Sequence, residues 1–272
     1  MGLVPPFCLD AVVAIGIHDS NDKFKGIASG FLYGDFQREL DEKGKEYGIY
    51  LISNRHVFKG LKQVFLRFNP EKIDAPAKDY DLSLLDEKGN PRWVGHPNSN
   101  IYVAAITINF PILRKEAMKC AYFQSDVHVA PIQKLKQIGI MEGDFIYTLG
   151  FPMGIVGETR NVVIARSGSI ARIRDTLDKQ NSDFLIDSFV FPGNIGGPVI
   201  SKPEMTCIQG TKSQKASYLI GIVKSYVPYR DIAISEQTKN PRVIFEENSG
   251  LAVVHPTDFI IETISALKDQ QK

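Results

Sequence analysis

Two phrases in the chain hold residue types whose spacing could do chemistry. Ser53-Asn54-Arg55-His56-Val57 closes the apolar run Gly48–Ile52 with an imidazole able to take a proton near neutral pH. Phe191-Pro192-Gly193-Asn194-Ile195-Gly196-Gly197-Pro198-Val199 sets three glycines within five residues between two apolar strands. That density supplies unusual backbone angles and lets a ligand approach the main chain closely, where a plain hairpin needs only one or two glycines. The remaining histidines, His18, His96, His128 and His255, have no metal-ligand spacing with one another, so no metal is expected. Cys8, Cys120 and Cys207 are too few and too scattered for a disulfide framework.

The elements that must position these phrases are short β-rich runs. They fall at 10–18, 26–34, 48–53, 63–68 and 101–108, then at 144–151, 161–173, 183–191, 197–201, 218–227 and 249–254. Val, Ile, Phe and Tyr dominate them, and Gly, Pro, Asn and Asp punctuate them, as strands and turns require. Many short strands without interleaved long helices predict an all-β sandwich or barrel. A helix is expected over 256–268, where Phe259, Ile260, Thr263, Ile264 and Leu267 recur at three- and four-residue steps, packed on the second half. The segment 109–143 has fewer strand signals and reads as the crossing between two halves. The polar stretches 35–47 and 228–248 read as hairpins or surface loops. Two β-rich halves, 1–125 and 126–272, fit the usual domain size.

In order and spacing these phrases resemble the trypsin-like (chymotrypsin-fold) serine peptidases, especially their bacterial members. The resemblance covers roughly residues 10–265. It rests on Ser53–Val57, Gly26–Leu32 one strand earlier, Gly150–Gly154 ahead of the glycine turn, and Leu219–Val223 and Gly250–Pro256 after it. It implies two six-stranded β-barrels with a C-terminal helix and a cleft between the barrels, with His56 at the place of the general base. It also implies an oxyanion nest from the backbone N–H groups of Gly193 and Ile195. Finally, it implies a peptide-binding edge strand at Val223, Lys224, Ser225 and Tyr226.

The match fails at two chemical positions. Tyr102 stands where the family carries its Asp, and Ile195 stands where it carries its nucleophilic Ser. Ile195 has only carbon beyond its backbone and cannot attack a carbonyl. The Tyr102 phenol is neutral near pH 7 and offers no charge to an imidazolium. In the general trypsin template, neutralising the Asp costs about 10⁴ in turnover. Ser201, Ser225 and Cys207 are the nearby alternatives to a nucleophile, and none has a sequence reason to reach the turn. The expectation is a proteolytically inactive protein that binds a peptide or protein partner without a cofactor. The alternative is a serine endopeptidase seen as an inactive variant, with His56 as its base.

Composition narrows the rest. The 272 residues are 43% hydrophobic, 10% aromatic and 23% charged, and 32 Lys+Arg against 31 Asp+Glu leave a net charge of +1. That balance gives no case for nucleic acid, and no basic–aromatic run supplies one. No apolar run approaches the 18 or so residues a spanning helix needs, so no membrane role is expected. No basic region precedes the first apolar residues, Asp10 interrupts them, and the thiols have no framework. A cytoplasmic protein is the expectation, of undetermined oligomeric state.

Overall fold

The computed structural model describes residues 3–41, 44–204 and 211–270. Its strands are β1 (Val12–His18), β2 (Phe24–Leu40), β3 (Gly44–Asn54), β4 (Gln63–Pro70), β5 (Lys78–Ser83), β6 (Trp93–Gly95), β7 (Val103–Thr107), β8 (Met118–Lys119) and β9 (Phe123–Gln124). The second half adds β10 (Phe145–Gly150), β11 (Ile164–Arg172), β12 (Phe184–Asp187), β13 (Pro198–Ser201), β14 (Leu219–Ile234) and β15 (Pro241–Pro256). Short helices are α1 (Pro6–Asp10), α2 (Arg55–Phe58), α3 (Phe110–Lys115), α4 (Ile132–Ile138) and α5 (Arg174–Leu177), with α6 (Asp258–Gln270) at the end. Each of the eleven β-rich runs coincides with a strand. None of the helices among the described residues is long and apolar enough to cross a membrane.

The strands sort into two bodies. β10–β11–β12–β15–β14–β13 close on themselves as a six-stranded barrel. β1 to β9 form one nine-stranded sheet in the order β5–β4–β1–β2–β3–β7–β6, with β8 on β4 and β9 on β2. This first sheet is curled rather than closed, since β5 and β6 end the path unpaired with each other. The architecture is therefore one complete barrel and one half-barrel, consistent with two β-barrels. Alternation explains the strands: in β4, Val64, Leu66, Phe68 and Pro70 turn inward while the residues between them are exposed or half-buried.

Each body has its own core, Leu32, Leu51, Phe58 and Leu66 in the sheet and Ile146, Phe184, Ile220 and Val254 in the barrel. A third cluster joins them, with Phe31, Tyr33 and Phe123 meeting Phe151, Ile200 and Leu219. α6 belongs to this junction. It follows the barrel in sequence, yet it packs mainly against β6 and β7 of the first sheet rather than on the second half. The reason lies in its apolar face: Ile260, Ile264 and Leu267 share a cluster with Val94, Ile101, Val103 and Ala105. The 228–248 stretch is a hairpin, the outer part of β14 and β15, paired from Pro228–Asn248 to Ile234–Pro241.

Candidate functional site

The glycine turn is held by main-chain bonds from three directions. Pro192 O accepts Met153 N at 2.5 Å, Gly193 O accepts the Ser29 hydroxyl at 2.5 Å, and Gly196 N donates to Val223 O at 3.0 Å. Asn194 is buried and staples the turn to itself, its Oδ1 accepting Phe191 N at 3.2 Å. Gly193 has φ +97°, and a Cβ there would lie 2.3 Å from Phe151 O. Gly196 has φ +86°, and its Cβ would fall 2.4 Å from both Ser29 O and Ser53 Oγ. Only glycine fits these two places. The Gly150–Gly154 phrase thus has a structural task, which is to back the turn.

His56 comes to the same cleft from the first sheet. β3 ends at Asn54, and α2 follows with Val57 and Phe58 anchored in the core, leaving the His56 side exposed. Asn54 Nδ2 crosses to the barrel and donates to Val223 O at 3.0 Å. His56, Gly193 and Ile195 line one pocket of about 360 Å³, together with Ile27, Ala28, Val57, Lys59, Leu61 and Pro192. No hydroxyl, thiol or carboxylate is among those lining residues. Burial of part of its surface lowers the His56 pKa from the usual histidine value. Among the described residues nothing hydrogen-bonds its ring, and its aromatic neighbour is Tyr102, edge-on at 6.4 Å between centroids.

Tyr102 is pinned from both sides through its backbone. Its O accepts Arg55 N at 2.6 Å, and its N donates to His255 Nε2 at 3.0 Å. That second bond fixes the tautomer: an accepting Nε2 leaves the proton on Nδ1, which donates to Asp183 Oδ1 at 2.5 Å. Asp183 Oδ2 accepts Lys224 Nζ at 2.8 Å, and Lys224 Nζ stands 5.0 Å from the centre of the Tyr102 ring. Burial alone would raise the Asp183 pKa, but the His255 and Lys224 contacts more than offset it and hold the carboxyl below its usual value. An accepting Nε2 belongs to a neutral ring, and burial of this fully buried side chain lowers the His255 pKa in the same sense. Phe259 of α6 lies edge-on to both His255 and His96, at 5.7 and 5.3 Å.

This lysine–carboxylate–histidine cluster went unseen in the sequence. His255 and Lys224 lie 72 and 41 positions from Asp183, and only the strand register joins them. Its effect on the site is electrostatic. Where a serine peptidase needs a negative charge behind its histidine, this cleft has a phenol ring with an ammonium group against its face.

Val223, Lys224, Ser225 and Tyr226 all lie on β14. β13 pairs with β14 only as far as Ile222, and Val223 then bonds the glycine turn in both directions, its N to Gly197 O and its O to Gly196 N. Among the described residues, Lys224 to Tyr226 have no strand partner on the side of β14 opposite β15, although Lys224 O accepts Asn54 Nδ2 at 3.3 Å, so the open edge is Ser225–Tyr226. A bulge falls between Val223 and Ser225, where Lys224 leaves the ladder to reach Asp183.

The alternative nucleophiles fare poorly. Ser201 is fully buried on β13 and its Oγ accepts Tyr218 N. Ser225 sits on the free edge, outside the pocket that holds His56. Cys207 lies outside the described residues. Burial pushes the Cys8 and Cys120 thiols up to about 12 and about 11, away from thiolate chemistry. Asp187 lines a different surface depression, with Tyr147, Arg166 and Phe189. Among the described residues no group of three or more His, Cys, Asp or Glu could hold a metal ion. Comparison with protein-family models and with curated proteins returns no match.

Proposed function

We propose that this chain is a trypsin-like-fold protein without peptidase chemistry, which binds an extended peptide or protein segment in the cleft between its half-barrel and its barrel. One observation carries the reading. His56, the cleft's proton acceptor, shares its pocket with Ile195 and with no hydroxyl, thiol or carboxylate. The edge at Ser225–Tyr226, without a strand partner among the described residues, supports the binding half, because strand addition needs main-chain donors and acceptors and no nucleophile.

The test is an incubation with a reduced, carboxymethylated protein that stays unfolded. The full chain is expected to hold this polypeptide, as read by size-exclusion chromatography, and to leave it intact on a denaturing gel. Tyr226→Pro, placed on the free edge, is expected to weaken the complex. Fragments from the unaltered chain would contradict the inactive reading. Undiminished capture by the edge variant would move the interaction off the cleft.

A further inference from the structure

We infer that the outer hairpin of β14 and β15 is a self-association arm, through which two copies of this chain join edge to edge along β15.

The arm runs from the Pro228–Asn248 pair to the Ile234–Pro241 pair. On it Tyr229, Ile232, Ile234, Val243, Ile244 and Phe245 are each 45–61% exposed. Opposite residues of an antiparallel pair share a face, and successive residues alternate between faces. Ile232 and Ile244 therefore lie on one face and Tyr229, Val243 and Phe245 on the other, so the ribbon is apolar on both. Among the described residues no strand pairs with either outer edge of the arm: β13 meets β14 only over Leu219–Ile222, and β12 meets β15 only over Leu251–Val254. A two-stranded ribbon alone is at best marginally stable in water, and further strands that share an apolar face steady it.

The β15 edge is complementary to itself. Two identical edges join antiparallel around a two-fold axis, so residues equally far on either side of the axial residue meet. With Ile244 on the axis, Ile244 meets Ile244 of the second copy, Val243 meets Phe245, and Arg242 meets Glu246, the last two contacts occurring twice. Ile232 then extends the contact into one apolar row of four isoleucines across four strands. Arg242 is free for this role: the ladder with β14 skips it at a bulge, and among the described residues it has no ion pair. Glu246 accepts Tyr226 Oη and Arg230 Nε, and a carboxylate has lone pairs for a further donor. A shift of the axis spoils the match, since Phe245 on it sets Ile244 against Glu246, and Val243 on it sets Arg242 against Ile244. The β14 edge offers no equal. Arg230 or Asp231 on its axis brings like charges together, Ile232 there sets Arg230 against Ile234, and Pro228 has no N–H to give. Joining through β15 leaves Ser225–Tyr226 of β14 open, so the arm acts independently of the cleft.

The test is analytical ultracentrifugation of the full chain over about 1–100 µM, a range that spans micromolar association. A monomer–dimer equilibrium is expected. Ile244→Lys, which sets two ammonium groups opposite each other at an exposed position, is expected to weaken it about tenfold or more without moving the urea midpoint of the dilute chain. Oxidative crosslinking reads the register. Ile244→Cys is expected to form a disulfide between the two copies at that position, because directly opposed residues lie within disulfide reach, whereas Phe245→Cys faces Val243 and is expected to form none. A chain that stays monomeric throughout the range would overturn the inference and leave the arm to a partner of another kind. A dimer indifferent to Ile244→Lys, or one crosslinked through position 245 and not 244, would overturn it as well.

Discussion

The two walls of the cleft are built from different materials. The barrel wall, the turn from Gly193 to Gly197, is shaped by glycine backbone angles and by main-chain bonds to Met153, Ser29 and Val223. The wall at Tyr102 is held by side chains gathered from afar: Asp183, Lys224 and His255, bonded in one chain. A backbone turn is indifferent to the side chain at its centre, so Ile195 sits in it while the main-chain bonds that hold the turn stay in place. A charge cluster is not indifferent, and here the group against the Tyr102 ring is an ammonium, itself paired with Asp183, where serine peptidase chemistry requires a carboxylate. Frame and chemistry are therefore separable in this fold, and each can be tested alone.

The largest expected effect lies in the charge cluster. Asp183→Asn leaves the Lys224 ammonium and His255 without their shared carboxylate in a site whose ion-pair side chains are 19% and 14% exposed. Loss of one partner of such a pair costs about 3–5 kcal/mol, read as a drop in the urea midpoint. Gly193→Ala tests the opposite wall: the positive φ and the 2.3 Å approach to Phe151 O predict a loss of about 2–4 kcal/mol by the same measurement. If it were the milder change by far, the turn would be more pliable than its bonds suggest.

A smaller effect is a pH slope. Burial lowers the His255 pKa in the folded chain, against the contacts of Asp183 and in concert with Lys224 and His96. The unfolded chain therefore takes up the proton first, and stability is full above the unfolded value near 6.5 and falls as the pH drops through the folded one. His56 and His128, also lowered by burial, add to the same slope. His255→Gln is expected to flatten part of it between pH 7 and pH 5, measured as the urea midpoint against pH. The smallest change is Tyr102→Leu, which removes the ring under Lys224 and is expected to cost about 0.5–1 kcal/mol.

Much of the fold was legible because strands announce themselves by alternation and by the turn residues between them. β5 was missed because Lys78–Ser83 is polar at most positions and buries only Leu82. β8 and β9 are two residues each and exist only through their partners β4 and β2. α4 has a helix-ending glycine, Gly139 with φ +78°, but a single buried residue, Leu135, too weak a stripe to read from periodicity. The site divides the same way. The glycine turn and His56 are contiguous phrases and could be found in one dimension. Asp183, Lys224 and His255 carry ordinary neighbours, and α6 was placed on the second half because periodicity shows which face is apolar and not what it meets.

The most direct measurement of the central claim compares hydrolysis of an unfolded protein by three chains. They are the unaltered one, Tyr102→Asp/Ile195→Ser, and the same pair with Lys224→Ser. With Lys224 5.0 Å from the ring it would pair with a carboxylate placed at position 102, so the double variant is expected to be weak. The triple variant, freed of that ammonium, is expected to cleave, and the unaltered chain to leave its target whole. Cleavage by the unaltered chain would contradict the account at its root.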